Sequence, residues 1–252
     1  MRAFAKVNLI LKVLPKKKQE IKHRIKSLFC LYPKLYDEIY IKENNTTTIS
    51  FKYQNKPIQI DKSKMLLAIQ YCAKLLNRKL NLQIVVQKKI PIMSGLGGSA
   101  TDIACVMKWI MNKYGLQLSA KHLKFIALNV GSDVPFFLSG YSSAWVSNYG
   151  DKVIEYTSIL PKFRIILTNI KMNTTKVYQS ISKNYVSKVN VQKSYQILNS
   201  NHFCKDTIYN DMWVFANKLN QKLCKFSHHL SSHKNIILSG SGGSFIEILK
   251  ER

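Results

Sequence analysis

Long uninterrupted apolar segments are missing from this chain. No run approaches the roughly 18 residues that a membrane-spanning helix needs, so we expect no membrane span. No internal repeat, heptad array or collagen-like period is present, which argues against solenoid, coiled-coil and fibrous folds. Hydrophobic residues still make up 46% of the 252 residues and aromatic residues 11%. The chain can therefore bury a core, and its length suits one large domain or two modest ones.

Acidic residues are scarce in this sequence. There are 13 of them against 39 lysines and arginines, which gives a net charge of +26. The basic residues are mostly lysines and are dispersed, apart from the run Lys16-Lys17-Lys18. Dispersed lysines are typical of solvated surfaces. Their number can reflect a general shift in amino-acid composition, without a role in function. A positive field would also help to gather an anionic small molecule.

Cysteines are few, and no two of them form a C-x-x-C pair. This spacing argues against a disulfide framework and against a zinc site. We expect reduced, mostly buried thiols in a cytoplasmic protein. The five residues are Cys30, Cys72, Cys105, Cys204 and Cys224.

Alternating apolar and polar residues predict a β-strand over 3–14. Side chains two residues apart in a strand point to the same side, so Lys6 and Asn8 are expected on one face. The same reasoning predicts strands over 36–42, 82–90, 142–147 and 163–169, a hairpin-like region over 47–60, and a strand, glycine turn and strand over 235–249.

Helical spacing of apolar residues follows the segment 91–101. Further helices are predicted from a Ser63 cap to about Asn77 and from a Ser119 cap to near Gly131. The segment 131–140 is predicted as a loop, and 174–225 as mostly helical. Strands and helices mix without strict βαβ alternation, which favours an α+β fold. A composition shift near 150–162 suggests a boundary between two parts of the chain.

The segment PIMSGLGGSAT, residues 91–101, joins a predicted strand to a predicted helix. Glycines allow the backbone to approach an anion closely, and a helix N-terminus favours negative charge. The segment is neither a P-loop nor a dinucleotide fingerprint, because G-K-[ST] and G-x-G-x-x-G are both missing. The glycine pattern alone leaves phosphate binding and a simple packing turn about equally supported.

The segment PIMSGLGGSAT resembles the glycine loop of the GHMP kinases, a superfamily of ATP-dependent small-molecule kinases. Two further segments resemble that superfamily's motifs in the same order: AKVNL at 5–9 and LSGSGGS at 238–244. The resemblance implies a two-domain fold with the active site in the cleft between the domains. We expect an ATP-binding domain over 1–155 and a C-terminal domain over 156–252.

More local matches favour the branch of this superfamily that phosphorylates the 2-hydroxyl of a cytidine diphosphate derivative of methylerythritol, in the non-mevalonate isoprenoid pathway. GSDVPFF at 131–137 resembles the segment that carries the catalytic aspartate, and His23 resembles the histidine of a Gly-Tyr-His motif. Three positions differ from the usual pattern. Lys22 stands where an aromatic residue is usual, Ser94 replaces a glycine, and Ala100 replaces a serine.

The resemblance implies that Asp133 accepts the proton of the acceptor hydroxyl and that Lys6 supplies the counter-charge. The residues alone favour a helix or turn cap for Asp133 and a surface lysine on an edge strand for Lys6. ATP would contact the glycine loop and the lysine before it. The expected ATP-binding residues are Lys88, Pro91, Ser94, Gly95, Leu96, Gly97, Gly98, Ser99, Ala100 and Thr101.

The resemblance also implies that His23 hydrogen-bonds cytosine and that Tyr178 stacks on it, although Tyr178 could equally be a core aromatic residue. The expected substrate-binding residues are Asn8, Lys22, His23, Thr174, Tyr178, Gly240, Ser241 and Gly242. We expect Mg²⁺ to arrive with ATP, and no protein ligand is assigned to it.

Two alternatives remain beside this interpretation. One is a GHMP kinase of the homoserine or mevalonate type, and the other is a decayed kinase fold that binds RNA. An RNA-binding protein would need a clustered basic face with exposed aromatic residues. The dispersed lysines favour a small-molecule substrate, without a nucleic-acid or membrane partner, and the sequence predicts no particular oligomeric state.

Overall fold

The computed structural model describes residues 1–20, 22–188, 190–192, 196, 209–230 and 235–249. It mixes helices with two β-sheets, as the α+β prediction requires. Within the described residues, no helix is both long and apolar enough to cross a membrane.

A seven-stranded sheet forms the first part of the chain. Its centre is the 19-residue strand β2, which pairs with β1 along one edge and with β5 and β6 along the other. All pairs are antiparallel except β3 with β5, which are parallel. The strands are β1 (Arg2–Val13), β2 (Ile25–Glu43), β3 (Thr48–Tyr53), β4 (Lys56–Ile58), β5 (Leu82–Lys88), β6 (Ser143–Asn148) and β7 (Lys152–Glu155).

A three-stranded antiparallel sheet follows, with the strand order β8-β10-β9. It consists of β8 (Phe163–Leu167), β9 (Ile236–Leu238) and β10 (Ser244–Ile248). The predicted strand, glycine turn and strand at the end of the chain are therefore present as β9 and β10. The two sheets come together along β1, since Leu11 forms a parallel bridge with Asn210 near the second sheet.

The described helices lie mainly where apolar periodicity predicts them. They are α1 (Ser63–Leu75), α2 (Gly98–Tyr114), α3 (Ala120–Asn129), α4 (Val134–Ser139), α5 (Thr174–Gln179), α6 (Met212–Leu219) and α7 (Gln221–Leu230). Ser119 caps α3 as predicted, by accepting a hydrogen bond from the backbone N–H of His122.

Two local predictions were wrong. Ser63 does not cap α1; it is the first helical residue, and its N–H and hydroxyl both donate to Asp61. The segment predicted as a loop after Asp133 contains the short helix α4, with Pro135 in its first turn. Proline is tolerated there because the first backbone N–H groups of a helix have no partner within the helix.

The cysteines that the structure describes are free thiols, and Cys204 lies outside the described residues. Burial raises the pKa of the Cys72 thiol to about 12 and that of Cys105 to about 11, so both stay protonated at neutral pH. Cys30 is also buried, and Cys224 is partly exposed.

We propose that the division at residue 155 separates two domains. The last strand of the large sheet ends at Glu155, and the first strand of the small sheet begins at Phe163. The fully buried members of the cluster around Phe29 all come from the first part, and most of those in the cluster around Phe245 come from the second. A further cluster packs β1 against β9 and β10, where the two parts meet.

Candidate active site

A cavity of about 540 Å³ opens between the two sheets. Strand β1, the glycine loop before α2, the segment before α4 and the region around α5 all reach it. The side chains and glycines that line the cavity include Lys6, Asn8, Gly97, Gly98, Asp133, Thr174, Tyr178, Gly240 and Ser241.

Residues 91–100 of the glycine loop form one wall of this cavity, and the loop leads into α2. Gly97 is the N-cap of α2 and has a φ of 72°, in the left-handed region that glycine adopts without strain. No side chain caps this N-terminus, and no acidic residue lies in the first turn. The first N–H groups of α2 therefore remain available to an anion, and the helix dipole favours one there.

Backbone contacts hold the glycine loop in place. The N–H of Lys6 in β1 donates to the carbonyl of Leu96 at 3.0 Å, and the N–H of Met172 donates to that of Met93 at 3.0 Å. A Cβ added to Gly95 would lie 2.3 Å from the carbonyl oxygen of Ser239. The loop thus packs backbone to backbone against the glycine turn between β9 and β10, which leaves no room for a side chain at position 95.

Lys6 and Asp133 form an ion pair in the cavity, with 3.1 Å between Nζ and Oδ2. The Lys6 side chain is 4% exposed and that of Asp133 is 24% exposed, so the ammonium is enclosed while the carboxylate faces the cavity. Asp133 is the N-cap of α4, yet its side chain makes no capping hydrogen bond. The carboxylate is engaged by a buried ammonium and does not act as a turn cap.

A hydrogen-bonded chain fixes the position of Lys6. Its Nζ donates to Oδ1 of Asn8 at 2.7 Å, and Nδ2 of Asn8 donates to the hydroxyl of Ser27 at 3.0 Å. Lys6 Nζ also lies 4.7 Å from the ring centroid of Phe29. Sequence reasoning did not identify Ser27, which belongs to the neighbouring strand β2 and shows no local motif.

Tyr178 lies in the cavity wall beside Asp133. Burial raises the pKa of its hydroxyl, and the negative charge of Asp133 raises it further, so the phenol is neutral. On the same wall, the hydroxyls of Thr174 and Ser241 are hydrogen-bonded at 2.7 Å. This contact joins α5 to the glycine turn of the second sheet.

The chain is similar to known proteins over nearly its whole length. The GHMP kinases N terminal domain matches residues 65–141, a range that contains the glycine loop and Asp133. The 4-diphosphocytidyl-2-C-methyl-D-erythritol kinase of Ureaplasma parvum serovar 3 is 30% identical over 254 residues, which cover 98% of this chain and 94% of the relative. The chain belongs to the 4-diphosphocytidyl-2-C-methyl-D-erythritol kinase family.

Further matches agree with membership of this kinase family. The kinase of the same name from Sulfurimonas denitrificans is 31% identical, over 98% of this chain and 96% of its own length. A crystal structure of 4-(cytidine 5'-diphospho)-2C-methyl-D-erythritol kinase aligns with a TM-score of 0.74 at 21% identity, covering 99% of this chain and 90% of that one. The fold is therefore that of a GHMP kinase, which confirms the fold that the sequence motifs imply.

Most residues expected at a kinase-family site lie in the cavity lining, but four do not. Thr101 is buried within α2, and Gly242 is a buried residue of the glycine turn, where an added Cβ would lie 3.0 Å from Cγ of Met172. Neither is exposed to the cavity. Their expected contacts with ATP and substrate stay predictions.

His23 and Lys22 are the other two expected residues outside the lining. His23 is buried, and its Nδ1 lies 3.0 Å from the carbonyl oxygen of Leu14, while its Nε2 has no partner among the described residues. Lys22 donates to the carbonyl of Leu128 near the end of α3, and burial and the ammonium of Lys64 lower the pKa of Lys22. A basic residue at a helix C-terminus complements the dipole.

Lys88 reaches the cavity, but its ammonium is already bound. It forms ion pairs with the buried carboxylates of Asp37 and Asp102, the latter with 2.7 Å between Nζ and Oδ2. The ammonium therefore lies beneath the glycine loop, and the expected contact of Lys88 with ATP stays a prediction. The sequence did not predict the two ion pairs, because Asp37 is 51 residues away and Asp102 is buried in α2.

Proposed function

We propose that this chain transfers the γ-phosphoryl group of ATP to the 2-hydroxyl of 4-diphosphocytidyl-2-C-methyl-D-erythritol, a step of the non-mevalonate isoprenoid pathway. The observation that carries this proposal is the Lys6–Asp133 ion pair, which lies in the same cavity as an uncapped, glycine-lined helix N-terminus. Phosphoryl transfer to an alcohol needs a site that binds the phosphates and groups that accept a proton and stabilise charge. The helix N-terminus offers the first, and the carboxylate–ammonium pair offers the others.

We assign the phosphates of ATP to the loop between Pro91 and Ala100. Their charge would meet the N–H groups at the start of α2 and the positive end of its dipole. Mg²⁺ keeps most of its waters and binds through substrate phosphates and few carboxylates. Among the described residues, no three acidic, histidine or cysteine side chains surround one point, and we assign no protein ligand to the ion.

Asp133 and Lys6 have different roles in the transfer, one in accepting a proton and the other in stabilising negative charge. Asp133 accepts the proton of the acceptor hydroxyl while that oxygen attacks the γ-phosphorus. The bond from the γ-phosphorus to the bridging oxygen breaks, and ADP leaves. Lys6 stabilises the negative charge on the attacking oxygen, and Asn8 holds the ammonium in place.

We place the cytidine group near Tyr178 and His23. The ring of Tyr178 is beside Asp133 in the cavity wall and offers a stacking face. His23 precedes the lining residue Ile25 by two positions and keeps a buried Nε2 that is unpaired in the described part of the chain. A ring nitrogen can donate to or accept from a base edge.

Tyr178→Ala is expected to raise KM for the cytidine substrate by about 10-fold or more, because stacking on an aromatic ring contributes roughly 1–3 kcal/mol per base. Tyr178→Phe keeps the ring and is expected to stay close to wild type. Steady-state kinetics with the cytidine substrate varied at saturating ATP measures both. An unchanged KM in Tyr178→Ala would show that Tyr178 is a packing residue.

ADP release with three acceptor alcohols tests the proposed function. A coupled assay should give turnover with 4-diphosphocytidyl-2-C-methyl-D-erythritol, and little with homoserine or mevalonate. Higher kcat/KM for homoserine or mevalonate would favour another type of GHMP kinase. Salt-sensitive binding of RNA without ADP release from any alcohol would favour the RNA-binding alternative.

A further inference from the structure

Three buried charged residues meet beneath the glycine loop. Asp37 belongs to β2, Lys88 ends β5, and Asp102 lies in α2, and their exposures are 0%, 5% and 2%. Isolated charges are rarely buried, because removing them from water is costly. We call these three residues the loop triad.

The loop triad touches the start of the glycine loop through the backbone. Oδ1 of Asp37 accepts hydrogen bonds from the N–H groups of Lys89 at 2.5 Å and Ile90 at 2.8 Å. These are the two residues that precede Pro91. Oδ2 of the same carboxylate pairs with Lys88 Nζ, so Asp37 fixes the chain at the point where it leaves β5.

The loop triad also touches the other end of the loop. Lys88 Nζ donates to Oδ2 of Asp102 at 2.7 Å, which ties the end of β5 to α2. A Cβ added to Gly98 would lie 3.3 Å from Lys88 Nζ and 3.1 Å from Cγ2 of Ile90. The ammonium therefore lies directly under the first residue of α2.

Charge balance explains why Lys88 stays in this position. Burial disfavours its ammonium, but the carboxylates of Asp102 and Asp37 outweigh this effect, and the pKa of Lys88 is raised. Burial and the like charge of Asp37 hold the pKa of Asp102 well above its usual range, against the opposing effect of Lys88. A phosphate could recruit Lys88 only by breaking both of these contacts, which would leave the buried carboxylate of Asp37 without a counter-charge.

We propose that Lys88, Asp37 and Asp102 act together as positioning residues, which hold the two ends of the glycine loop at the spacing that ATP binding requires. Lys88 contributes through the loop and does not contact the phosphates. This inference rests on the proposed function, because it assigns ATP to this loop.

Asp102→Leu is the most informative variant. It removes the tie between β5 and α2 but leaves Lys88 and Asp37 as a charge-balanced pair, so the protein should still fold. The dissociation constant for a non-hydrolysable ATP analogue, measured by calorimetry, is expected to rise about 10-fold or more. Asp102→Asn restores an acceptor for Lys88 Nζ and should bring the dissociation constant back to within about threefold of wild type.

Lys89→Met is a matched control for Lys88→Met. Lys89 is the next residue, and its Nζ pairs with Glu38 at 2.8 Å on the exposed side of the sheet. Lys88→Met should weaken binding of the ATP analogue about 10-fold or more, and Lys89→Met should not. Both Lys89→Met and Asp102→Leu should leave KM for the acceptor alcohol unchanged, because the triad acts on the ATP side only.

Two results would overturn the positioning role. One is an affinity of folded Asp102→Leu for the ATP analogue equal to that of wild type. The other is an equal loss of that affinity in Asp102→Leu and Asp102→Asn.

Calorimetry also separates this inference from the proposed function, because it needs no acceptor alcohol. A wild type that binds the ATP analogue but phosphorylates no cytidine substrate would contradict the proposed acceptor and leave the triad inference standing. A wild type that binds no ATP analogue would overturn both.

Discussion

Asp133→Asn is expected to slow phosphoryl transfer by about 10²–10⁴-fold while an ATP analogue still binds. The amide keeps the size of the side chain but cannot accept the proton of the acceptor hydroxyl, and it no longer balances the buried ammonium of Lys6, 3.1 Å away. ATP affinity should change little, because the glycine loop is held by contacts that do not involve Asp133. Single-turnover kinetics and calorimetry measure the two quantities separately.

Glu155→Gln provides the control for loss of a carboxylate. Glu155 is exposed at the end of β7 and does not line the cavity. This variant should keep wild-type turnover, and circular dichroism should show that both variants are folded. Turnover of Asp133→Asn within a few-fold of wild type would remove Asp133 from the role of general base.

Gly97→Ala is expected to lower kcat/KM by about 100-fold or more, the size of effect that a misplacement of about 1 Å can cause. The added Cβ would lie 2.9 Å from Cγ of Lys6 and 3.0 Å from Cζ of Phe137. It would therefore push Lys6 away from Asp133 and narrow the space in which the phosphates approach the N-terminus of α2. Steady-state kinetics with ATP and acceptor varied in turn measures the loss.

Gly115→Ala separates this effect from backbone strain. Gly115 caps the other end of α2 with a φ of 66°, close to the 72° of Gly97, but a Cβ there would meet no atom within 4 Å. Each of the two alanine variants should lose about 1–2 kcal/mol of the free energy of unfolding, because alanine is disfavoured in the left-handed conformation. Only Gly97→Ala should lose activity, and an equal loss in Gly115→Ala would attribute the effect to strain.

Local sequence patterns predicted many helices and strands because apolar residues recur with the period of the element that buries them. Alternation in β1 placed Lys6 and Asn8 on one face, and their side chains are in contact at 2.7 Å. The short elements were harder to predict. Helix α4 has six residues and contains Pro135, and β7 has four residues, so neither shows enough of a period to be recognised.

Contacts between distant segments limited the prediction of the site. The glycine loop is one continuous segment, and its position before a helix followed from the sequence. Lys88 is 51 residues from Asp37, and no local pattern shows that the two pair. Ser27 likewise reaches Asn8 only because β1 and β2 are neighbours in the sheet.

Transfer of label from γ-³²P-ATP tests the central claim most directly. Wild-type protein incubated with 4-diphosphocytidyl-2-C-methyl-D-erythritol should move the label into an acid-stable phosphate ester of that alcohol, in step with ADP formation. Asp133→Asn should form this product at least 100-fold more slowly. Label that appears only as inorganic phosphate, or product formed equally fast by Asp133→Asn, would contradict phosphoryl transfer at the Lys6–Asp133 pair.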